Sequence, residues 1–536
     1  MSGLDRPLTP LRYLERSASV YPHKDAVVDG SRRFTYEELA AQVTRTAHAL
    51  RASGVDAGDR VIYLAANSAE MVMAHFAVPL AGAVLVATNT RLAGPEIGYI
   101  AEHSGACLIL ADAEIAERHH DILAGTGVEL VVLPGIDGSD VVQDGATTWS
   151  QFLARGTDEP IPWTVDDETR TITLNYTSGT TGRPKGVMYS HRGAYLNSLG
   201  ECITQGFDRS TRYLWTLPLF HCNGWCCAWA VVAAGGTQVC LRAVRGDDLW
   251  RLVHEERIDH LCGAPTVLSI MADADEAAPL TTPLTVVTAG APPSPTIIER
   301  LQGLNTEVVH VYGLTETYGP YSVCEWQDDW ADLPPAEVAV KLSRQGVGMV
   351  TAEEMRVVQT EDSDELDDVP SDGVTVGEIV MAGNGVMKGY YRDDAATAEA
   401  FRGGWFHSGD LGVRHPDGYV QLVDRAKDVV ISGGENISTV EVEQAILRHE
   451  AVAEVAVIGI PDERWGERPM AYVVVRPGAT VTSEELIAHT KSLLASYKVP
   501  KAVDITEDLP KTATGKIRKH ELKAAAWEGR DSKIQG

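Results

Sequence analysis

The sequence predicts an α/β protein, with a large N-terminal domain of mixed and parallel sheets with flanking helices and a small C-terminal α+β domain. At 536 residues, the chain is longer than a single hydrophobic core usually supports, so at least two domains are expected. Strand-like and helical segments alternate along most of it, which is typical of parallel sheets covered by helices. A compact tail of about 110 residues follows a boundary near 424–428. We therefore expect domains at 1–426 and 427–536.

Local signals place the elements in order. Thr35 and Glu38 have the spacing of a capping box, and apolar residues at helical spacing continue from there to Gly54. Apolar runs predict strands at 60–67, 83–87, 107–110, 130–133, 231–241, 258–262 and 284–288, with helices that begin at Ser68 and cover 247–256. In the tail, capping patterns at 438–441 and 482–485 predict two helices, and 455–460 and 472–475 are predicted strands.

Composition limits the partners. The net charge is −29 and the isoelectric point is near 4.9, which argues against nucleic acid and anionic membranes. An anionic substrate therefore needs a local positive pocket. The longest apolar stretch is interrupted by His75, Pro79 and Gly82, so it predicts buried structure and no membrane span. The N-terminus lacks the apolar core of a signal peptide, and we expect a cytoplasmic protein.

The eight cysteines lie mostly in apolar runs and form no C-x-x-C pair. Buried, reduced thiols are the favoured interpretation. A zinc site at His221, Cys222, Cys226 and Cys227 is the alternative, but no second ligand cluster follows it.

Residues 173–187 join an apolar segment to a turn rich in glycine and hydroxyl side chains. The residues of interest are Thr177, Ser178, Gly179, Thr180, Thr181 and Lys185. Glycine permits close backbone approach, so N–H groups and hydroxyls can surround phosphate oxygens. The spacing is not the Walker pattern, because Gly186 follows the lysine. A flexible surface loop is the alternative, and the density of hydroxyl residues before Arg-Pro-Lys-Gly argues against it.

Further polar motifs follow in order along the chain. They are Pro-Leu-Phe-His-Cys-Asn-Gly-Trp at 218–225, Thr-Ala-Gly-Ala-Pro-Pro at 288–293, Tyr-Gly-Leu-Thr-Glu-Thr at 312–317, Gly-Trp-Phe-His-Ser-Gly-Asp-Leu at 404–411, Asp-Arg-Ala-Lys-Asp at 424–428 and Pro-Lys-Thr-Ala-Thr-Gly-Lys-Ile at 510–517. The small residues of the second motif would let a flat ring approach the backbone. A carboxylate such as Glu316 suits magnesium together with phosphate oxygens and waters. A carboxylate after a small-residue turn, such as Asp410, commonly binds ribose hydroxyls.

In these motifs the chain resembles the acyl-adenylate-forming superfamily, which includes acyl-CoA synthetases, beetle luciferases and the adenylation domains of peptide synthetases. The resemblance extends along nearly the whole chain and is nearest to short- and medium-chain acyl-CoA ligases. It implies ATP, Mg²⁺ and CoA as cofactors and a small carboxylic acid as substrate. It also implies that the turn at 177–185 binds phosphates, with Thr177 and Glu316 at the metal.

The resemblance assigns further nucleotide contacts. Gly290, Ala291 and Pro292 with Tyr312 and Gly313 would form the adenine slot, and Thr315 would contact phosphate. Asp410 would bind the ribose, assisted by Arg425. An acyl pocket would be lined by His221, Asn223, Trp225, Gly290, Gly313 and Tyr318. The rings around it favour a small, medium-length, cyclic or aryl acid over a long chain.

The tail supplies the last roles that the resemblance implies. Lys516 would bridge the acyl carboxylate and the α-phosphate, and Lys427 would be the hinge on which the small domain rotates. Gly433 and Gly434 would then line the tunnel for the CoA thiol. Arg91, Trp465 and Lys498 are weaker candidates for CoA contacts. Lys516, Glu316, Thr177 and His221 are thus the expected catalytic residues.

The expected reaction forms acyl-AMP and then transfers the acyl group to CoA. One alternative is a ligase that transfers it to an amine, because such an enzyme would share every motif up to the acceptor tunnel. A peptide-synthetase module would need a carrier segment after residue 536. A non-catalytic nucleotide-binding protein is the alternative of a different class, and the presence of Lys516, Glu316 and Asp410 argues against it. Assembly as a homodimer is left open.

Overall fold

The computed structural model describes residues 4–177, 183–290, 295–360, 366–432, 435–462, 465–512 and 516–527. Its helices, in chain order, are α1 Leu11–Val20, α2 Tyr36–Ala52, α3 Ala69–Ala81, α4 Gly94–Ser104, α5 Ala113–Arg118, α6 His120–Gly125, α7 Trp149–Leu153, α8 His191–Thr204, the short turn α9 Cys222–Trp225, α10 Cys227–Ala234, α11 Gly246–Glu255, α12 Pro265–Asp273, α13 Pro295–Gln302, α14 Pro335–Leu342, α15 Asp394–Ala400, α16 Thr439–Leu447, α17 Ser483–Leu493 and α18 Lys519–Trp527. Among the helices of these ranges, none has the length and apolarity needed to cross a membrane.

The strands follow the same numbering. They are β1 Asp25–Asp29, β2 Arg32–Thr35, β3 Arg60–Leu64, β4 Val84–Ala87, β5 Ala106–Ala111, β6 Glu129–Val132, β7 Thr147–Thr148, β8 Thr171–Thr177, β9 Lys185–Ser190, β10 Arg212–Trp215, β11 Thr237–Cys240, β12 His260–Gly263, β13 Leu284–Thr288, β14 Thr306–Leu314, β15 Gly319–Val323, β16 Val347–Gly348, β17 Arg356–Val358, β18 Gly377–Met381, β19 Phe406–Arg414, β20 Val420–Arg425, β21 Val430–Ser432, β22 Glu435–Ile437, β23 Val452–Asp462, β24 Gly466–Val475 and β25 Ala502–Ile505.

Two large sheets form the body of the protein. In the described residues, the first has the order β7-β6-β5-β3-β4-β8-β9, and all neighbours are parallel except β8 and β9. The second has the order β16-β15-β14-β13-β12-β10-β11-β1-β2, parallel from β14 to β1 and antiparallel at both edges. The expected mixed and parallel architecture is confirmed. The motifs at 177–185, 218–225, 288–293 and 312–317 lie at or just after the carboxyl ends of β8, β10, β13 and β14, as is typical of ligand sites in such sheets.

Two smaller antiparallel-rich sheets complete the fold. Strands β17-β18-β19-β20 form one, and β22-β21-β24-β23 with β25 beside β24 form the other. Helices α16, α17 and α18 pack with the second sheet. The small C-terminal α+β domain is therefore confirmed. Its exact boundary at 426/427 stays a prediction, and it falls between β20 of one sheet and β21 of the other.

Local capping signals place several helices correctly. Thr35 and Glu38 make both hydrogen bonds of a capping box at the start of α2. The Ser68 side chain accepts a hydrogen bond from the backbone N–H of Met71, and Thr482 caps α17 in the same way as Thr35 caps α2. These signals are read correctly because the hydrogen-bond partners lie within three residues of one another.

The predicted strand at 231–241 is wrong in its first part and confirmed at Thr237–Cys240. Residues Cys227–Ala234 form α10, and the strand β11 begins only at Thr237. The helix is apolar on almost every side because it is enclosed by α1, α3 and α8. A fully buried helix has no polar face, so an apolar run does not distinguish it from a buried strand.

Candidate active site

The turn at 177–185 closes a hairpin between β8 and β9. Thr177, the last residue of β8, pairs with Lys185, the first residue of β9. The two residues that flank the turn therefore lie opposite each other. Between them, Ser178, Gly179, Thr180 and Thr181 lie outside the described residues. The placement of Thr177 and Lys185 agrees with the strand–turn arrangement expected for a phosphate-binding loop.

Lys185 and Glu316 approach the same tyrosine. The Lys185 Nζ lies 4.7 Å from the centre of the Tyr390 ring, and the Tyr390 hydroxyl donates a hydrogen bond of 2.9 Å to Glu316 Oε1. Glu316 belongs to the 3-10 helix Thr315–Thr317 that follows β14. Burial raises the pKa of the Glu316 carboxyl above its ordinary value. Sequence reasoning missed Tyr390, because only the contact across the fold connects it to the site.

The donor set at Glu316 fits a magnesium ion. Its carboxylate has one oxygen bonded to Tyr390 and further lone pairs available to a hard cation. Within the described ranges, no group of three or more His, Cys, Asp or Glu side chains gathers to hold a metal. A cation at Glu316 would therefore need oxygens from a phosphate substrate and from water, which is usual for magnesium.

Tyr312 and Asp410 form a second part of the candidate site. The Tyr312 hydroxyl donates a hydrogen bond of 2.8 Å to Asp410 Oδ2, and both side chains are buried. Arg425 pairs with Asp410 across β19 and β20, and its Nε lies 3.6 Å from Asp410 Oδ1. Gly290, which has φ +91°, is exposed after β13. Ala291 and Pro292 lie outside the described residues.

A left-handed turn follows His221. Cys222, Asn223, Gly224, Trp225 and Cys226 all have φ between 50° and 62°. For L-residues this conformation costs about 1–2 kcal/mol each, so it persists only where surrounding contacts fix it. The Trp215 ring leaves space only for glycine at 224, because a Cβ there would lie 2.3 Å from it. The Asn-Gly pair was the available signal, since both residues tolerate left-handed backbone.

The structure corrects part of the predicted acyl pocket. Tyr318 is fully buried, stacks on Tyr189 and accepts a hydrogen bond from the Ser190 N–H, so it supports the site from beneath. Asn223 is also fully buried, and its amide oxygen accepts hydrogen bonds from Thr173 and Asn175. Neither side chain exposes surface, so both support the pocket from behind and do not line it.

Two other predicted pocket residues have a structural reason for their identity. Gly313 lies at a bulge between β14 and β15, where a Cβ would lie 1.9 Å from the Gly319 carbonyl oxygen. Trp225 is 5% exposed and packs against Gly319. Thr315 is held by two neighbouring residues. Its hydroxyl accepts a hydrogen bond from the Cys222 thiol, and its carbonyl accepts one from the Tyr189 hydroxyl.

Lys516 of the small domain enters this site. Its backbone is held in a short hairpin, in which the Thr512 N–H donates to the Lys516 carbonyl and Lys511 bridges to Ile517. Burial, reinforced by the nearby Arg425, lowers the pKa of the Lys516 ammonium to about 7, while Asp410 opposes that shift. Burial and the Lys516 charge lower the pKa of His221 to about 4, so that ring is neutral at pH 7. Lys516, His221, Arg425 and Asp410 thus share one site.

Of the remaining predicted tail residues, the structure describes Lys427, Lys498 and Trp465. Lys427 is exposed between the two smaller sheets, and Gly433 and Gly434 lie outside the described residues. Lys498 donates hydrogen bonds of 2.8 and 2.7 Å to the two carboxylate oxygens of Glu441. Trp465 is 41% exposed.

Comparison with known proteins identifies the family. The family described as AMP-binding enzyme matches residues 14–391, and the AMP-binding enzyme C-terminal domain matches residues 441–516. The chain is 43% identical over 544 residues to acetate–CoA ligase CCL3 of Humulus lupulus, with 97% of this chain and 95% of that protein covered. It is 41% identical over 544 residues to the peroxisomal acetate/butyrate–CoA ligase AAE7 of Arabidopsis thaliana, with the same coverage.

A solved structure agrees with the sequence comparison. O-succinylbenzoate coenzyme A synthetase (MenE) from Bacillus subtilis, in complex with ATP and magnesium ion, matches with a TM-score of 0.80 and 28% identity, covering 95% of this chain and 99% of that one. The chain therefore belongs to the AMP-binding enzyme family, as its motifs predict, and is an AMP-forming ligase of the acid–thiol type.

Proposed function

We propose that this ligase joins a short, straight-chain carboxylate to AMP, using Mg·ATP, and then transfers the acyl group to the thiol of CoA. The observation that carries the proposal is the meeting of Lys516 with His221, Arg425 and Asp410 in one partly buried site. An ammonium group there can stabilise the negative charge that develops where an acid meets the α-phosphate.

In the first step, a carboxylate oxygen attacks the α-phosphorus of ATP and the bond from that phosphorus to pyrophosphate breaks. A carboxylate is already ionised at pH 7, so neutral His221 contacts it without serving as a base. The enzyme's contribution is positioning and charge stabilisation. Lys516 bridges the acyl carboxylate and the α-phosphate. The leaving pyrophosphate is held by Thr177, Lys185 and the turn between them.

Further residues orient the nucleotide. Tyr312 lies against the adenine together with Gly290, Ala291, Pro292 and Gly313, and Thr315 contacts phosphate. Asp410 takes the ribose hydroxyls beside Arg425. A magnesium ion, when bound, neutralises phosphate charge, and Glu316 and Thr177 are the residues that would hold it.

In the second step, the CoA sulfur attacks the acyl carbonyl carbon, the bond to AMP breaks and the thiol proton leaves to solvent. The small domain rotates on Lys427 between the steps, which withdraws Lys516 and brings Gly433 and Gly434 to the acceptor tunnel.

The acid is short because of the segment that follows His221. Trp225, which is 5% exposed, limits that side of the site, and the fully buried Cys226, Cys227 and Trp229 pack behind it. The names of the two relatives described above point in the same direction, since one is an acetate ligase and the other an acetate and butyrate ligase, whereas a third relative, from Petunia hybrida, is a trans-cinnamate ligase.

The test measures pyrophosphate release with acetate, propionate, butyrate, hexanoate, laurate and benzoate, each with CoA, with an amino acid mixture, or with neither acceptor. We expect the highest kcat/KM for acids of two to four carbons and acyl-CoA as the product. A preference for laurate would contradict the chain length proposed, and amide products without acyl-CoA would contradict the acceptor.

Cytoplasmic location and assembly as a homodimer remain proposals. One relative is named as peroxisomal, so fractionation of cells that produce the protein has to decide the location. Light scattering of the purified protein decides the assembly.

A further inference from the structure

The segment 387–391 connects two parts of the active site. The Met387 N–H donates to the Glu316 carbonyl at 2.8 Å, and the Lys388 N–H donates to the Met188 carbonyl at 2.9 Å. The Tyr391 N–H donates to the Gly186 carbonyl at 2.7 Å, and Tyr390 bridges to Val187. The segment thus runs as an extra strand along β9 and ends beside the 3-10 helix of Glu316.

This backbone arrangement fixes Tyr390 between the two side chains. Its N–H also donates a hydrogen bond of 2.9 Å to the Thr397 hydroxyl of α15. The backbone of Tyr390 is therefore held by α15 as well as by β9. The phenol hydroxyl donates to Glu316 Oε1 at 2.9 Å, while the ring faces the Lys185 ammonium at 4.7 Å. One side chain therefore sets the position of both a carboxylate and a cation.

We propose that Tyr390 is the positioning residue of the magnesium–phosphate corner, aligning Glu316 for the cation and Lys185 for the phosphates. The inference rests on the roles proposed above for Glu316 and Lys185. A hydrogen bond from the hydroxyl leaves the second carboxylate oxygen free to face a cation, and it restricts rotation of the carboxylate plane. The ring holds the lysine by a cation–π contact, which fixes its direction without neutralising its charge.

The two contacts can be separated by substitution. Tyr390→Phe removes only the hydrogen bond to Glu316, whereas Tyr390→Leu removes the ring beneath Lys185 as well. Tyr391→Phe is the matched control, because the neighbouring tyrosine packs on His103 and Arg392 instead. ATP binding is measured by calorimetry without any acid, once with Mg²⁺ and once with EDTA.

Wild-type protein should bind ATP more tightly with Mg²⁺ than with EDTA. Tyr390→Phe should weaken binding in Mg²⁺ about tenfold, the usual effect of losing one hydrogen bond to a charged group, and leave binding in EDTA unchanged. Tyr390→Leu should also weaken binding in EDTA by about threefold, because the cation–π contact is lost. Tyr391→Phe should change neither. In a Glu316→Gln background, Tyr390→Phe should have little further effect.

The inference is overturned if Tyr390→Phe and Tyr391→Phe behave alike, or if the loss in Tyr390→Phe is the same with and without Mg²⁺, as damage to the fold would produce. Acid-dependent pyrophosphate release by the wild type tests the proposed function separately. Its absence would remove the roles of Glu316 and Lys185 and this inference with them, whereas release combined with an unchanged Tyr390→Phe would remove the inference alone.

Discussion

Lys516 influences the charge of His221. Burial lowers the pKa of both, and the positive charge of Lys516 lowers that of His221 further. An ammonium with a pKa of about 7 is only partly charged at pH 7, and a nearby anion favours its charged form, so substrate binding and protonation are linked. In the function proposed above, this pair of residues contacts the acid during its activation.

Replacing Lys516 by alanine should slow acyl-AMP formation strongly and preserve the thioester step from supplied acyl-AMP. The lost ammonium stabilises only the first transition state, and removing one such group typically slows a reaction by about 10²–10³. Measuring the two half-reactions separately checks this. A similar loss in both would mean that the lysine does not divide its work between them.

The pH dependence of the first step follows from the same group. Lys516 has to be protonated to stabilise charge, and the pKa of the free enzyme is lowered to about 7. The kcat/KM for ATP in acyl-AMP formation should therefore fall as the pH rises above about 7. Lys516→Arg keeps its charge at every pH of the assay and should flatten the profile. A profile with the same fall in the arginine variant would assign it to another group.

At the scale of elements, helix α8 carries a buried acid. Glu201 is fully buried, and its Oε2 accepts a hydrogen bond from the Gln205 side chain at 2.5 Å. Burial raises the pKa of Glu201 to about 8. The folded protein therefore holds a proton that the unfolded chain releases above its ordinary pKa, so this residue lowers the stability increasingly as the pH rises from about 4.5 to 8.

Glu201→Gln should remove this penalty. The free energy of unfolding should exceed that of the wild type at pH 8 by up to a few kcal/mol, and the difference should shrink at pH 5. Urea unfolding at both pH values measures it, with Glu102→Gln on the exposed side of α4 as the control. Equal differences at the two pH values would show that the charge of Glu201 is not the cause.

The elements also show what can be predicted from sequence. Capping boxes at α2 and α17 depend on residues three apart, and both are found correctly. Helix α10 is missed because it is buried on all sides. Tyr390 and the left-handed turn after His221 depend on contacts with Glu316 and Trp215 that are distant in sequence. The motifs identify the site, but its floor and its supporting residues require the fold.

At the scale of the whole molecule, one buried carboxylate ties the small domain to the body. Asp424, at the end of the sheet that contains β20, accepts hydrogen bonds from the backbone and the hydroxyl of Thr439 at 2.5 and 2.8 Å. Lys519 donates to the same hydroxyl at 2.6 Å. The two hydrogen bonds from Thr439 to Asp424 span the expected hinge at Lys427, and rotation about it would have to break them, whereas the Lys519 contact lies within the small domain.

Asp424→Asn should therefore shift the domains away from the orientation in which Lys516 occupies the site. A neutral amide is a weaker acceptor at the start of α16 than a carboxylate. Acyl-AMP formation should slow about five- to tenfold, while the thioester step from supplied acyl-AMP should be unchanged or faster. Asp504→Asn, on an exposed position of β25, is the control. Equal slowing of both steps would contradict the interpretation.

The distribution of thiols allows the proposed rotation of the small domain to be measured. Of the eight cysteines, all within the described ranges, Cys107 is exposed, Cys202 is half-buried and the other six are buried. None lies beyond Cys324, so the small domain has no thiol of its own. A maleimide dye should modify the native protein chiefly at Cys107. A second dye can be placed on a cysteine introduced at exposed Lys491. Single-molecule energy transfer between the two dyes would then report changes in the distance between the domains during catalysis.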